Sequence, residues 1–221
     1  MTERIIAREA LLGVSMTGIM DKPEICLDPT IQRHGAKHVK ETNKKIAQKI
    51  NINIAARTTC IKPEGTTSCI LGTSSGIHPH HAKRYIRRVQ ANKMEPIYQY
   101  FQTINERACE ESVWSANDSD AVISFCVEVA TGSKTKNQIS ALELLEYVKS
   151  TQKNWVTGGI NADANVQPWL THNVSNTINI KPEEWDDVEK FIYKNRNFFC
   201  GISLLPITGD NDYPKVPFTA I

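Results

Sequence analysis

Ile54-Ala-Ala-Arg-Thr-Thr-Cys-Ile61, running straight into Lys62-Pro-Glu-Gly-Thr-Thr-Ser-Cys-Ile-Leu-Gly72, is the stretch from which the fold is read. Its first eight residues mix Ala, Thr and Ile, which suits a strand covered on both faces. Pro63 then stops the run, Gly65 permits a tight turn, and the residues after it read as the start of a short helix. Strand, polar turn and helix in that order form the working unit of α/β proteins, whose sites gather in the loops after the carboxyl ends of strands.

The same alternation extends outward in both directions. Upstream, Thr2 to Ala10 reads as a short helix and the Gly-containing apolar run Leu11 to Ile19 as a buried strand. A helix is predicted over Ala36 to Asn51, with Val39, Ile46 and Ile50 on one side and a lysine-rich solvated face on the other. Downstream, strands are predicted at Arg84 to Gln90, Ala121 to Ala130, Ser175 to Ile180 and Ile202 to Leu205. Helices are predicted at Pro96 to Cys109, Ser140 to Trp155 and Pro182 to Asn195; the last opens with a proline and two acids, which suit a helix start. No repeat, low-complexity tract or linker interrupts the series, so one domain over residues 1–221 with a largely parallel sheet is expected.

Composition narrows the function. With 26 Lys plus Arg against 24 Asp plus Glu, the net charge of +2 gives no broad field for DNA or an anionic membrane, so any anion site must be local. No segment approaches the roughly 18 apolar residues needed to span a bilayer. The six cysteines are spread without a CxxC pair and several sit in apolar runs, which favours buried free thiols in a reducing cytoplasm over disulfides or zinc. The four tryptophans, Trp114, Trp155, Trp169 and Trp185, read as packing anchors.

The loop after Ile61 suits an oxyanion. Gly65 lets backbone approach a ligand, Thr66, Thr67 and Ser68 add hydroxyls to their amides, and a helix start contributes a favourable dipole. An ordinary capped helix start has the same residues, and the pattern is neither a Walker loop nor a dinucleotide fingerprint. Beyond it lie Gly72-Thr-Ser-Ser-Gly-Ile-His-Pro-His-His81 and Lys83-Arg-Tyr-Ile-Arg-Arg-Val89. Upstream lies Gly13-Val-Ser-Met-Thr-Gly-Ile-Met-Asp21, and downstream Ser175-Asn-Thr-Ile-Asn-Ile-Lys-Pro-Glu-Glu184 and Ser203-Leu-Leu-Pro206.

Taken together and in this order, these segments resemble the C-terminal part of the catalytic subunit of adenosylcobalamin-dependent (class II) ribonucleotide reductases, of the ribonucleoside-triphosphate reductase type. The resemblance covers nearly the whole chain. It implies the C-terminal part of a ten-stranded α/β barrel of the ribonucleotide reductase / glycyl radical enzyme type, made of two parallel five-stranded halves. It also implies that Glu64, Gly65, Thr66, Thr67 and Ser68 hold the phosphates of a ribonucleotide substrate, mostly through the amides of residues 65 to 67. The side chain of Glu64, a carboxylate beside phosphates, is expected to have a structural role. Gly76, His78 and Arg87 are expected near the nucleotide or the cobalamin.

The family converts ribonucleotides to deoxyribonucleotides through a thiyl radical on a finger-loop cysteine, with adenosylcobalamin as cofactor and a thioredoxin-like reductant. The finger-loop motif Asn-Pro-Cys-Gly-Glu does not occur in this sequence, nor does the family's C-terminal cysteine pair, so no cysteine here inherits a catalytic role. The expectation is a cytoplasmic fragment or split subunit that needs an upstream half and does not turn over alone. Class I large subunits share the barrel and a related loop; the Gly-Ile-His-Pro and Gly-Val-Ser-Met-Thr-Gly wording favours class II. A non-catalytic nucleotide-binding or assembly module is the competing reading. For His78, His80 and His81, a metal site is disfavoured by the stiff Pro79 and by the lack of acidic or cysteine ligands at usual spacing. Arg84, Arg87 and Arg88 read either as a solvated strand paired with acids or as guanidinium groups aimed at a phosphate.

Overall fold

The computed structural model describes residues 2–207 and 214–221, without the side chain of Thr66. In chain order the helices are α1 Thr2–Glu9, α2 Pro23–Cys26, α3 Pro29–Ile50, α4 Gly65–Leu71, α5 Pro96–Ile104, α6 Ala141–Thr151 and α7 Trp185–Lys194. The strands are β1 Arg84–Asn92, β2 Cys109–Glu111, β3 Asp120–Glu128, β4 Thr177–Ile180, β5 Ser203–Pro206 and β6 Phe218–Ala220. Contacts gather into two compact units, one from residues 2–80 and 132–207, the other from 81–131 and 214–221.

The larger unit is built on a parallel wall. Val14 pairs with Thr59, Ile61 with Val174, and β4 with β5 from Thr177↔Ser203 to Ile180↔Pro206, all parallel. The two upstream stretches expected as regular strands, Leu11 to Ile19 and Ile54 to Ile61, are joined by single bridges instead of a continuous ladder. The reason is local: Arg57 pairs antiparallel with Ile160, and the Thr58 amide and hydroxyl both donate to Gly159 O, so the second segment serves two neighbours within five residues. The wall is open, and all four residues of β5 are exposed.

Helices cover one face of this wall. Helix α3 begins at Pro29, seven residues before the predicted start, because Asp28 caps it by accepting from the amides of Thr30 and Ile31 at 2.8 Å. Gly35 is needed inside it, since a Cβ there would lie 2.9 Å from the Trp155 ring. Its buried side is Gln32, Ala36 and Ala47, while Ile46 and Ile50 are exposed, contrary to the apolar side read from sequence. Helix α6 continues through a π turn at Gln152–Val156. This turn brings Trp155 onto the wall, where its indole donates to Cys60 O at 2.9 Å. Ile61, Leu145, Val156, Val174, Ile178 and Ile180 are fully buried in the core between them, each contributing about 1.5–3 kcal/mol from its removal from water. Among the tryptophans only Trp155 is buried; the other three are exposed to differing degrees.

The smaller unit departs from the predicted parallel sheet. It is a four-stranded sheet in the order β2-β3-β1-β6, every pairing antiparallel, with Arg84 opposite Glu128 and Asn92 opposite Asp120. Helix α5 covers one face through Tyr98 and Phe101 against Ala121 and Ile123. The alternation of charged and apolar residues along β1 is what a half-solvated antiparallel strand requires. All six cysteines are free, as expected, but only Cys60 is buried; Cys69, Cys126 and Cys200 are exposed, contrary to the buried thiols read from their apolar surroundings.

Candidate functional site

The loop expected to carry chemistry leaves the wall at Ile61 and is fixed at its entrance by Lys62, whose amide donates to Ser15 Oγ at 3.0 Å. Glu64 then takes a left-handed conformation, φ 51° and ψ 42°, which costs a non-glycine residue about 1 kcal/mol or more. Its carboxylate makes no cap hydrogen bond to α4. The first intrahelical bond is Ser68 N to Glu64 O, 2.8 Å, so the amides of Gly65, Thr66 and Thr67 come before it and point out of the helix start. Ser68 is buried and its hydroxyl donates back to Gly65 O at 3.3 Å, so both of its donors act inside the turn. Thr67 is exposed. The Thr66 side chain lies outside the described residues.

Gly65 is informative because the chain itself does not require it. Its φ is not in the left-handed region, and a Cβ there would meet nothing within 4 Å. Gly76 is the opposite case: φ is +57°, and a Cβ would sit 2.3 Å from Lys62 O. The second glycine packs the loop against its own exit, while the first leaves backbone accessible from outside.

A half-buried carboxylate holds that exit. Asp21 Oδ2 accepts from the Ser74 amide at 2.8 Å, and Oδ1 accepts from Ser133 Oγ at 2.7 Å and His80 Nε2 at 2.6 Å. Burial pushes the Asp21 carboxyl up, but the Ser74, His80 and Ser133 bonds together outweigh it and hold it below the usual range. Thr17 Oγ1 donates to Ser74 O at 2.9 Å and accepts from Gly76 N at 3.1 Å, adding a second tie between the same segments.

Residues 28–196 match the family model for the ribonucleotide reductase barrel domain. The chain belongs to that family. Among its curated relatives, the adenosylcobalamin-dependent ribonucleoside-triphosphate reductase of Levilactobacillus brevis is 24% identical over 250 residues, covering 99% of this chain and 32% of the relative. The probable adenosylcobalamin-dependent ribonucleoside-triphosphate reductase of Dictyostelium discoideum is 23% identical over 231 residues, covering 100% of this chain and 28% of the relative. The crystal structure of a B12-dependent (class II) ribonucleotide reductase shares the fold, with a TM-score of 0.71 at 20% identity over 99% of this chain and 32% of that one. The chain thus spans about a third of the length of the reductases it matches. The open parallel wall is a partial region of the reductase barrel.

Within the ribonucleotide reductase fold, Gly65 to Thr67 form the rim of the wall, while Glu64 and Ser68 shape the turn. His78 is half-buried with Nδ1 against Ser75 O at 3.1 Å, and burial pushes its pKa down. Arg87 lies over the Phe218 ring, 5.6 Å from its centroid, and belongs to the smaller unit. Of its neighbours, Arg84 pairs with Glu128 at 2.8 Å, and Arg88 donates to Val216 O at 2.9 Å and Thr219 Oγ1 at 2.7 Å. Among the described residues no group of three or more His, Cys, Asp or Glu is placed to hold a metal ion.

Three residues to which the sequence assigns no role of their own matter here: Asp21, quoted only as the end of a motif, Ser133 and His172. A cleft of about 380 Å³ is lined by Leu11, Gly13, Cys60, Lys62, His172 and Ser175. His172 Nδ1 lies 3.1 Å from Thr59 O, and burial pushes the His172 imidazole pKa down and the Cys60 thiol up, so both are neutral near pH 7. Nothing in residue spacing announces Asp21 and His80, which are 59 positions apart.

Proposed function

We propose that this chain supplies the substrate-phosphate loop of a class II ribonucleotide reductase, which converts ribonucleotides to deoxyribonucleotides for DNA synthesis. The observation that carries the reading is the family match over residues 28–196, because it contains the Pro63–Ser68 loop at the carboxyl end of a wall segment. Phosphate oxygens would accept from the amides of Gly65, Thr66 and Thr67, each charge-assisted bond worth about 1.5–3 kcal/mol. Thr67 and Lys62, both exposed, would add a hydroxyl and an ammonium to this local anion site, which the near-neutral net charge of +2 does not otherwise provide.

Adenosylcobalamin, named for the relatives, initiates the radical chemistry of the complete enzyme. Gly76, His78 and Arg87 are the residues of this chain proposed to lie near the nucleotide or the cobalamin. Gly76 is closed by the Lys62 carbonyl, His78 is engaged by Ser75 O, and Arg87 lies over Phe218. In this reading the cofactor, the finger-loop cysteine and the thioredoxin-like reductant act with a further segment of the cytoplasmic enzyme, an upstream half. The role of this chain is to bind and orient the substrate.

The test is to mix the chain with an upstream segment carrying Asn-Pro-Cys-Gly-Glu, adenosylcobalamin, a dithiol reductant and a ribonucleoside triphosphate, and to measure deoxyribonucleotide. Product should form in the complete mixture and not with either part alone. Turnover by this chain alone would overturn the proposal.

A further inference from the structure

The exit of the loop, like its entrance at Ser15, depends on a distant part of the sequence, but through a carboxylate with several partners. Thr73 donates to Ser68 O at 2.9 Å to close α4, and the next residue, Ser74, is gripped from three directions. Its amide donates to Asp21 Oδ2, its carbonyl accepts from the Gly18 amide at 2.8 Å and from Thr17 Oγ1, and its hydroxyl accepts from the Met20 amide at 3.1 Å. Asp21 is itself held by His80 and Ser133, so one carboxylate joins the segments at 17–21, 73–80 and 133–136. His80 extends the tie to backbone, its amide donating to Lys134 O at 3.0 Å and its carbonyl accepting from Lys136 N at 2.8 Å. Gly18 must be glycine for this approach, since a Cβ there would lie 3.2 Å from Asp21 Oδ2 at a φ of +74°.

A carboxylate with three donors on two oxygens, held by segments that do not touch the open amides themselves, is placed to fix a shape rather than to meet a ligand. The line of contact runs from Asp21 to Ser74, along backbone to Gly76, and from Gly76 to Lys62 O, the residue that leads into Pro63. We infer that Asp21, held by His80 and Ser133, is a positioning residue that keeps the Gly65–Thr67 amides in the arrangement that binds substrate phosphates. The inference rests on the phosphate-loop reading above. If releasing the clamp leaves the loop in its binding arrangement about a tenth of the time, apparent affinity falls about tenfold.

The experiment compares wild type, Asp21→Asn and the milder Ser133→Ala by two readouts: amide hydrogen exchange over residues 62–76 and ATP affinity by calorimetry. Asp21→Asn should raise exchange over residues 62–76 with little change in α6, and weaken ATP by about tenfold. Ser133→Ala should move both readouts the same way by less, and decides the matter if Asp21→Asn does not fold. Unchanged exchange, or looser residues with unchanged ATP affinity, would overturn the positioning role and leave the phosphate loop standing. Failure of the wild type to bind ATP would bring down the phosphate-loop reading, and this inference with it, in an arm that contains no substitution.

Discussion

Between Arg57 and Ile61 the chain is pressed against Trp155–Ile160, whereas at Gly65, a few residues further on, open space lies where a side chain would sit. In the first region Thr58 Oγ1 donates to Gly159 O at 2.8 Å, Thr59 Oγ1 to Trp155 O at 2.7 Å, and the Trp155 indole to Cys60 O at 2.9 Å. Gly159 is demanded there, because a Cβ would fall 1.9 Å from Thr59 Oγ1. In the second, Gly65 has open space around it and the amides after it precede the helix's own bonds. Threonine and glycine occur in both, so residue type alone does not separate packing from binding. What separates them is whether the surrounding chain already uses the groups.

Substitutions at the two glycines should therefore behave oppositely. Gly159→Val is expected to have the largest effect, a loss of about 4 kcal/mol or more, read as failure to fold or a collapsed urea midpoint. A midpoint near wild type would mean that the Thr58–Thr59 contact is not packed as described. Trp155→Phe should follow, losing about 2–4 kcal/mol, because it leaves Cys60 O without its donor and opens space beside Gly35.

The clamp beneath the loop should give a smaller, pH-dependent effect. Since the folded Asp21 carboxyl titrates below its ordinary value, its contribution is complete above about pH 4 and is lost as pH falls through the lowered folded value. Unfolding midpoints of wild type and Asp21→Asn should converge as the solution is acidified below pH 4. A gap that stays constant or widens there would contradict the assignment. Gly65→Val is expected to change stability least, within about 0.5 kcal/mol by urea titration. A large loss would place Gly65 with Gly159 and erase the contrast.

Much of this was legible in the sequence. Helices α6 and α7, strands β1, β3, β4 and β5, and the turn after Ile61 all fall where periodicity and punctuation predict them, because their own residues decide them. The start of α3 was readable too, in the Asp28-Pro29 cap, although the helix was predicted only from Ala36. The antiparallel direction of β1 and β3 was less accessible, since strand direction depends on how the chain returns and alternation of elements does not encode it. Ile46 and Ile50 misled for a related reason: the buried side of α3 is set by the small residues that let Trp155 approach, not by its largest apolar ones. The Asp21–His80 tie could not be read at all, because such a carboxylate is recognised by the donors brought to it, and these come from two segments distant from its own.

The most direct test of the central claim is calorimetric titration of wild type and Gly65→Val with a ribonucleoside triphosphate, each first matched for its urea midpoint. The loop assignment requires measurable, weak binding by wild type and a loss of about tenfold or more in the variant at unchanged stability. Equal affinity of the two proteins would contradict it.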